Sequence, residues 1–156
     1  MGILSNLLNK FRPIEIDDKF FGHLIYMKMP QGRISYWEAS RVFSPTGQEI
    51  ELFIDAPAPE QPPDELQRQF LLSIESKYKE ILLSVEAVLR PQFEEWTRKP
   101  LSGTLDTEFT MTSFSIPYAA LHDAEWEMSF DSRTDANHLY TVTLNGLVAS
   151  GVTIDG

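Results

Sequence analysis

Between residues 66 and 89 apolar side chains recur every three or four positions, at Leu66, Phe70, Ile74, Tyr78, Ile81, Val85 and Leu89; on either side of this run the pattern changes to alternation by two. The first spacing is that of an amphipathic helix and the second that of a strand with one face buried. The chain therefore reads strand block, helix, strand block. That order lacks βαβ alternation and predicts an α+β domain, a largely antiparallel sheet of six to seven strands packed against one long central helix. Asp64 and Glu65 open the helix, where negative charge complements the macrodipole, and Pro91 follows Arg90 at its close, giving a main helix over 64–90. Pro91 can open a second short helix carrying Phe93 and Trp96, with Pro100 ending it.

The first strand block, 19–55, divides into runs at 20–29, 33–43 and 48–55, separated by Pro30-Gln31-Gly32 and Ser44-Pro45-Thr46-Gly47. Residues 56–63 (APAPEQPP) hold four prolines, which lack ladder donors and form a stiff connector. The second block, 105–155, contains runs at 107–116, 125–131, 138–145 and 147–154, the last two joined at Asn145-Gly146, where both residues tolerate positive φ. Ahead of these, Ile3, Leu4, Leu7, Leu8 and Phe11 mark a short amphipathic helix over 1–12, between Met1 and Arg12 and stopped by Pro13. So short a helix is marginal alone in water, so it either docks on its own domain or forms a partner or homodimer surface. A chain of 156 residues is the usual size of a single domain, here 1–156.

Charge is unevenly distributed. From Leu101 to Gly156 eight carboxylates stand against one base, Arg133, and from Val42 to Leu66 six stand against none, while the remaining stretches are slightly basic. Glu125, Glu127 and Asp131 alternate with Trp126, Met128 and Phe130, and Glu49, Glu51 and Asp55 alternate with Ile50, Leu52 and Ile54, which puts acids on one sheet face and apolar groups on the other. A net charge of −10 argues against nucleic acid and against anionic membrane surfaces, and no apolar run reaches bilayer-spanning length. The first six residues resemble a myristoylation signal but carry Asn6 where Ser or Thr is required, so no targeting segment is expected. With no cysteine, the chain forms no disulfide or thiolate site, and a cytoplasmic location is the expectation.

Residues that carry chemistry do not assemble into a motif. His23, His122 and His138 lack metal-ligand spacing, and the expectation is no metal and no cofactor. His23 and His138 fall in strands, leaving His122, in a loop, free to act. There is no nucleophile elbow and no phosphate-cradling glycine loop. Residues 131–137 begin like a calcium loop, but Arg133 occupies a ligand position and Val142 stands where a bidentate glutamate belongs. Glu38, Glu125 and Glu127 beside Trp37 and Trp126 keep a carboxylate-dependent, carbohydrate-active enzyme as an alternative. No nucleophile, base and orienting group are specified together, so no enzyme is expected.

Phe21-Gly22-His23-Leu24, Trp37-Glu38, the run from Glu49 to Ala56, the central helix, Trp126-Glu127 with Phe130-Asp131, and Ile154-Asp155-Gly156 together resemble an uncharacterised family of small bacterial proteins. Relatives of that family resemble immunity proteins encoded beside polymorphic toxins. The resemblance implies a non-enzymatic α+β domain that binds and neutralises a cognate toxin, and it carries over no catalytic residue. The resulting expectation is a basic protein partner captured on an acidic sheet face by Glu125, Glu127, Asp131 and Asp135 with Glu49, Glu51 and Asp55. An oligomeric structural protein joined through 1–12 is the second reading.

Overall fold

The alternating runs form eight strands of a single sheet that lie side by side in chain order: β1 (Glu15–Asp18), β2 (Gly22–Met27), β3 (Ser35–Phe43), β4 (Gln48–Ala56), β5 (Phe109–Ile116), β6 (Glu125–Ser132), β7 (Leu139–Asn145) and β8 (Val148–Asp155). The computed structural model describes residues 12–118 and 124–156. The helix expected over 1–12, Arg12 apart, and His122 therefore lie outside the described residues. Neighbouring strands are antiparallel except β4 and β5, whose parallel pairing sets Glu51 beside Ser113 and Ile54 beside Ile116. A parallel pair needs a crossover, and the proline connector and the helices that follow it supply one. The two strand blocks thus share one sheet.

Strand β1 is an eighth strand beyond the six to seven expected. Its sequence, EIDD, offers one apolar residue, Ile16, and its place is set by pairing with β2. Asp18 then turns the chain, accepting the Phe20 and Phe21 N–H groups at 2.8 Å. A short, acidic strand is a usual guard for a sheet edge. At the opposite edge the hairpin turn falls one residue later than Asn145-Gly146: Asn145 pairs with Val148, and only Gly146 takes a positive φ, 59°. One glycine at the first central position is what a type II′ turn requires.

The single helix expected over 64–90 is two helices, α1 (Glu65–Ser76) and α2 (Tyr78–Thr97). The break falls at Lys77 (φ −107°, ψ 14°), next to Ser76, whose hydroxyl bonds back to the Ser73 carbonyl. Serine back-bonding of this kind bends helices, and the apolar period runs through it from Ile74 to Tyr78 without a mark. Pro91, expected to start a separate helix, lies inside α2. The hydrogen bond it cannot make would have gone to Ala87, an exposed position where the carbonyl can turn to water. At the N-terminus of α1, Asp64 and Gln67 form a reciprocal capping box. A last short helix, α3 (Leu105–Glu108), leads into β5.

Both main helices lie on one face of the sheet and bury its apolar rows. Tyr78 meets Phe43 of β3, Phe70 packs edge-on against Trp126 of β6, and Phe93 touches Phe109 of β5 and Tyr140 of β7. Ser84 accepts the Ala149 N–H, tying α2 to β8. One hydrophobic cluster runs from Phe21 to Ala149, with Trp37, Leu52, Met128 and Val142 fully buried in it. The other face of the sheet carries no helix among the described residues.

Candidate functional site

On a sheet whose apolar rows are buried under helices, alternation sends every second side chain to the open side. β1 sends Glu15 and Asp17, β3 sends Glu38, β4 sends Glu49, Glu51 and Asp55, β6 sends Glu125, Glu127 and Asp131, and β8 sends Asp155. This row of ten carboxylates spans the sheet from edge to edge. The described strands contain a single Lys or Arg, Arg41, and it faces the helices: its guanidinium donates to the Phe20 carbonyl at 2.7 Å, covers the Phe20 ring at 4.6 Å and approaches Glu75 at 3.9 Å. The open face thus receives acid from five strands and no Lys or Arg from any.

The acids of β4 and β6, distant in sequence, are brought together by β5, which lies between them and contributes Thr110, Ser113 and Ser115. Two strand spacings separate the two rows, about 10 Å. Six of the seven candidate residues, Glu49, Glu51, Asp55, Glu125, Glu127 and Asp131, therefore share one face. Asp135 does not join them. It lies in the β6–β7 loop, where it takes the Tyr140 hydroxyl at 2.6 Å and stands 2.7 Å from His138 Nδ1. Burial works to raise its pKa, but the bonds from Tyr140 and His138 outweigh this and hold the carboxyl below its usual range, while the same burial, with the Asp135 charge, pushes the Tyr140 hydroxyl up. Asp135 is a buttress for the loop. Its neighbour Glu108 does similar work, accepting from Ser132 Oγ at 2.7 Å and from Thr134 N and Oγ1 at 2.9 and 2.7 Å.

Trp37 and Trp126 belong to the opposite side. Each is buried on the apolar side of the sheet and donates its indole N–H at 2.7 Å to a carbonyl, Gln61 and Gly146 respectively. Glu38, Glu125 and Glu127 point away from them, because neighbours in a strand face opposite ways. The aromatic platform beside a carboxylate, on which a carbohydrate-active site depends, is not formed by these residues.

The open face is not uniformly polar. Phe53 of β4 stands directly across from Glu38 and meets Tyr36 edge-on at 5.7 Å. Burial, followed by the nearby Glu38 charge, raises the Tyr36 pKa. Next to them, small Ser40 lies between larger neighbours and leaves a depression of about 230 Å³ walled by His23, Ile25, Glu38, Glu51 and Phe53. A second hollow of about 350 Å³, reaching Glu49, Thr110 and Thr112, shares Ser40 and Glu51 with the first, so the two run together as a shallow trough from β2 to β5. At the β1 edge His23 lies 3.0 Å from Asp17 and 3.4 Å from Glu15; the bond to Asp17 raises its pKa. Sequence reasoning passed over Phe53, Tyr36 and Ser40 as site residues. The available signal was Phe53 itself, an aromatic side chain at an outward position in an otherwise acidic row.

Among the described residues no group of acids or histidines could hold a metal ion, and no helix is long and apolar enough to cross a membrane. The chain matches no family model, no curated protein and no solved structure, so what the open face does must be argued from its own chemistry.

Proposed function

We propose that this chain is a protein-binding domain that works in the manner of an immunity protein, neutralising a basic partner captured on the open face of its sheet. One observation carries the reading: ten carboxylates face that side, and the strands beneath them lend no Lys or Arg in return. Acids placed only to keep a surface soluble are ordinarily interspersed with bases. A one-sign field across a broad face steers an oppositely charged protein toward it and raises the rate of encounter, with aromatic and apolar anchors adding the affinity that charge alone does not. Phe53, Tyr36 and Ile25 supply such anchors amid the acids.

The test is capture from a lysate of the source organism at low salt, with the wild-type chain and a Glu125→Lys/Glu127→Lys variant run in parallel. The wild type is expected to retain a basic protein that a salt step releases, and the variant to lose most of it. Equal retention by both overturns the reading.

A further inference from the structure

Resting on that reading, we infer that the depression over Ser40 is the anchor subsite of the open face and that it receives an arginine side chain from an extended, basic segment of the partner, which lies along the trough from β2 to β5. Size decides first. At about 230 Å³ the depression is smaller than the hollows that bury a small-molecule cofactor, and it suits one side chain. Register gives it its chemistry. Ser40 pairs with Glu51 and Glu38 pairs with Phe53, so the two carboxylates are diagonal neighbours about 7 Å apart at the backbone, with the small hydroxyl and the ring completing the square.

A planar guanidinium fits this square. It carries five donors in a fork that can serve both carboxylates, and its face can lie on the Phe53 ring, whereas an ammonium is a point charge and is more strongly hydrated. His23, at the rim of the depression, already faces Glu15 and Asp17 and competes for neither Glu38 nor Glu51. The continuation of the hollow past Glu51 toward Thr110 and Thr112 gives the flanking backbone of the segment somewhere to lie. A second copy of this chain docked face to face is disfavoured by charge, since it would set one acidic face against another.

Two capped peptides of equal charge, hexa-arginine and hexalysine, test the inference by titration at low salt with amide shifts recorded on the protein. Hexa-arginine is expected to bind about two- to fivefold more tightly, the range that an exposed stacked cation supplies. The largest amide shifts should fall at Ser40, Glu51 and Phe53. Ser40→Phe, which fills the depression without altering charge, should erase the preference and leave the salt-dependent binding that both peptides share. Ser40→Lys, which places a cation there and asks for no new packing, should do the same and serves if the first variant folds poorly. Equal binding of the two peptides by the wild type, or a preference that survives both substitutions, overturns the arginine subsite while leaving the acidic face intact. Failure of both peptides to bind the open face at low salt removes the face itself as a cation-binding surface, and the subsite with it.

Discussion

Asp55 and Asp135 are both aspartates named as candidate site residues, and the structure gives them opposite electrostatics. At Asp55 burial dominates and raises the pKa, with the Tyr118 N–H offsetting part of it. The unfolded chain then ionises this group more readily than the folded one, so at neutral pH it opposes folding, and the cost fades as pH falls through the folded pKa. Asp55→Asn is therefore expected to raise the urea midpoint at pH 7, with the gain shrinking as pH falls through the raised folded pKa and gone below about pH 4, the ordinary range of a carboxylate. A gain that grows on acidification would reverse the assignment. Asp18, Glu108 and Asp135 work the other way, because burial there is outweighed by hydrogen bonds that favour the ionised form. The stability they lend is present above the unfolded pKa and is lost as pH falls through the lower folded values.

In the β6–β7 loop and the strands it joins, carboxylates serve two ends. Asp135 holds the hydroxyl of Tyr140, a side chain with no exposure to solvent, so Asp135→Ala leaves a buried donor unmet and should cost about 1–3 kcal/mol. Glu127→Ala, on the open face of β6, should change stability by no more than about 0.5 kcal/mol. Urea denaturation of the two variants checks the contrast, and a loss at Glu127 as large as at Asp135 would show that the open acids also hold the fold together. Element by element, the legible parts of the sequence were those with local periodicity. Seven strands follow from alternation, whereas β1, with Ile16 as its lone apolar residue, becomes a strand only by pairing with β2. The break at Lys77 left no trace because Ile74, Tyr78 and Ile81 keep helical spacing across it.

Across the whole molecule, one face concentrates like charge. Carboxylates on adjacent rows repel over about 5–10 Å, a range that is poorly screened at about 0.01 M salt, where the Debye length is about 30 Å, and better screened at 0.15 M, where it is about 8 Å. Raising salt between these limits should therefore raise the melting temperature of the chain alone while weakening its hold on a basic partner. Opposite responses of stability and binding are the signature of this arrangement. A melting temperature that falls with added salt would mean that the acids are matched by opposite charge within the fold.

The local facts could be read from the chain itself: periods of two and of 3.6, the acid rows alternating with apolar ones, the glycine needed in the last turn. These depend on neighbours a few residues apart, and side-chain direction follows from the backbone period. What the chain could not declare depends on contacts between distant segments. The crossover through α1 and α2 made β5 the parallel neighbour of β4 and so set Glu49, Glu51 and Asp55 alongside Glu125, Glu127 and Asp131. Nearer in sequence, but equally dependent on side-chain packing and exact register, the β6–β7 loop turned Asp135 toward Tyr140 and the β3–β4 hairpin placed Ser40, Glu38, Glu51 and Phe53 in one square. Strand order and register decide such neighbourhoods, and they are settled by burial of the whole sheet against its helices.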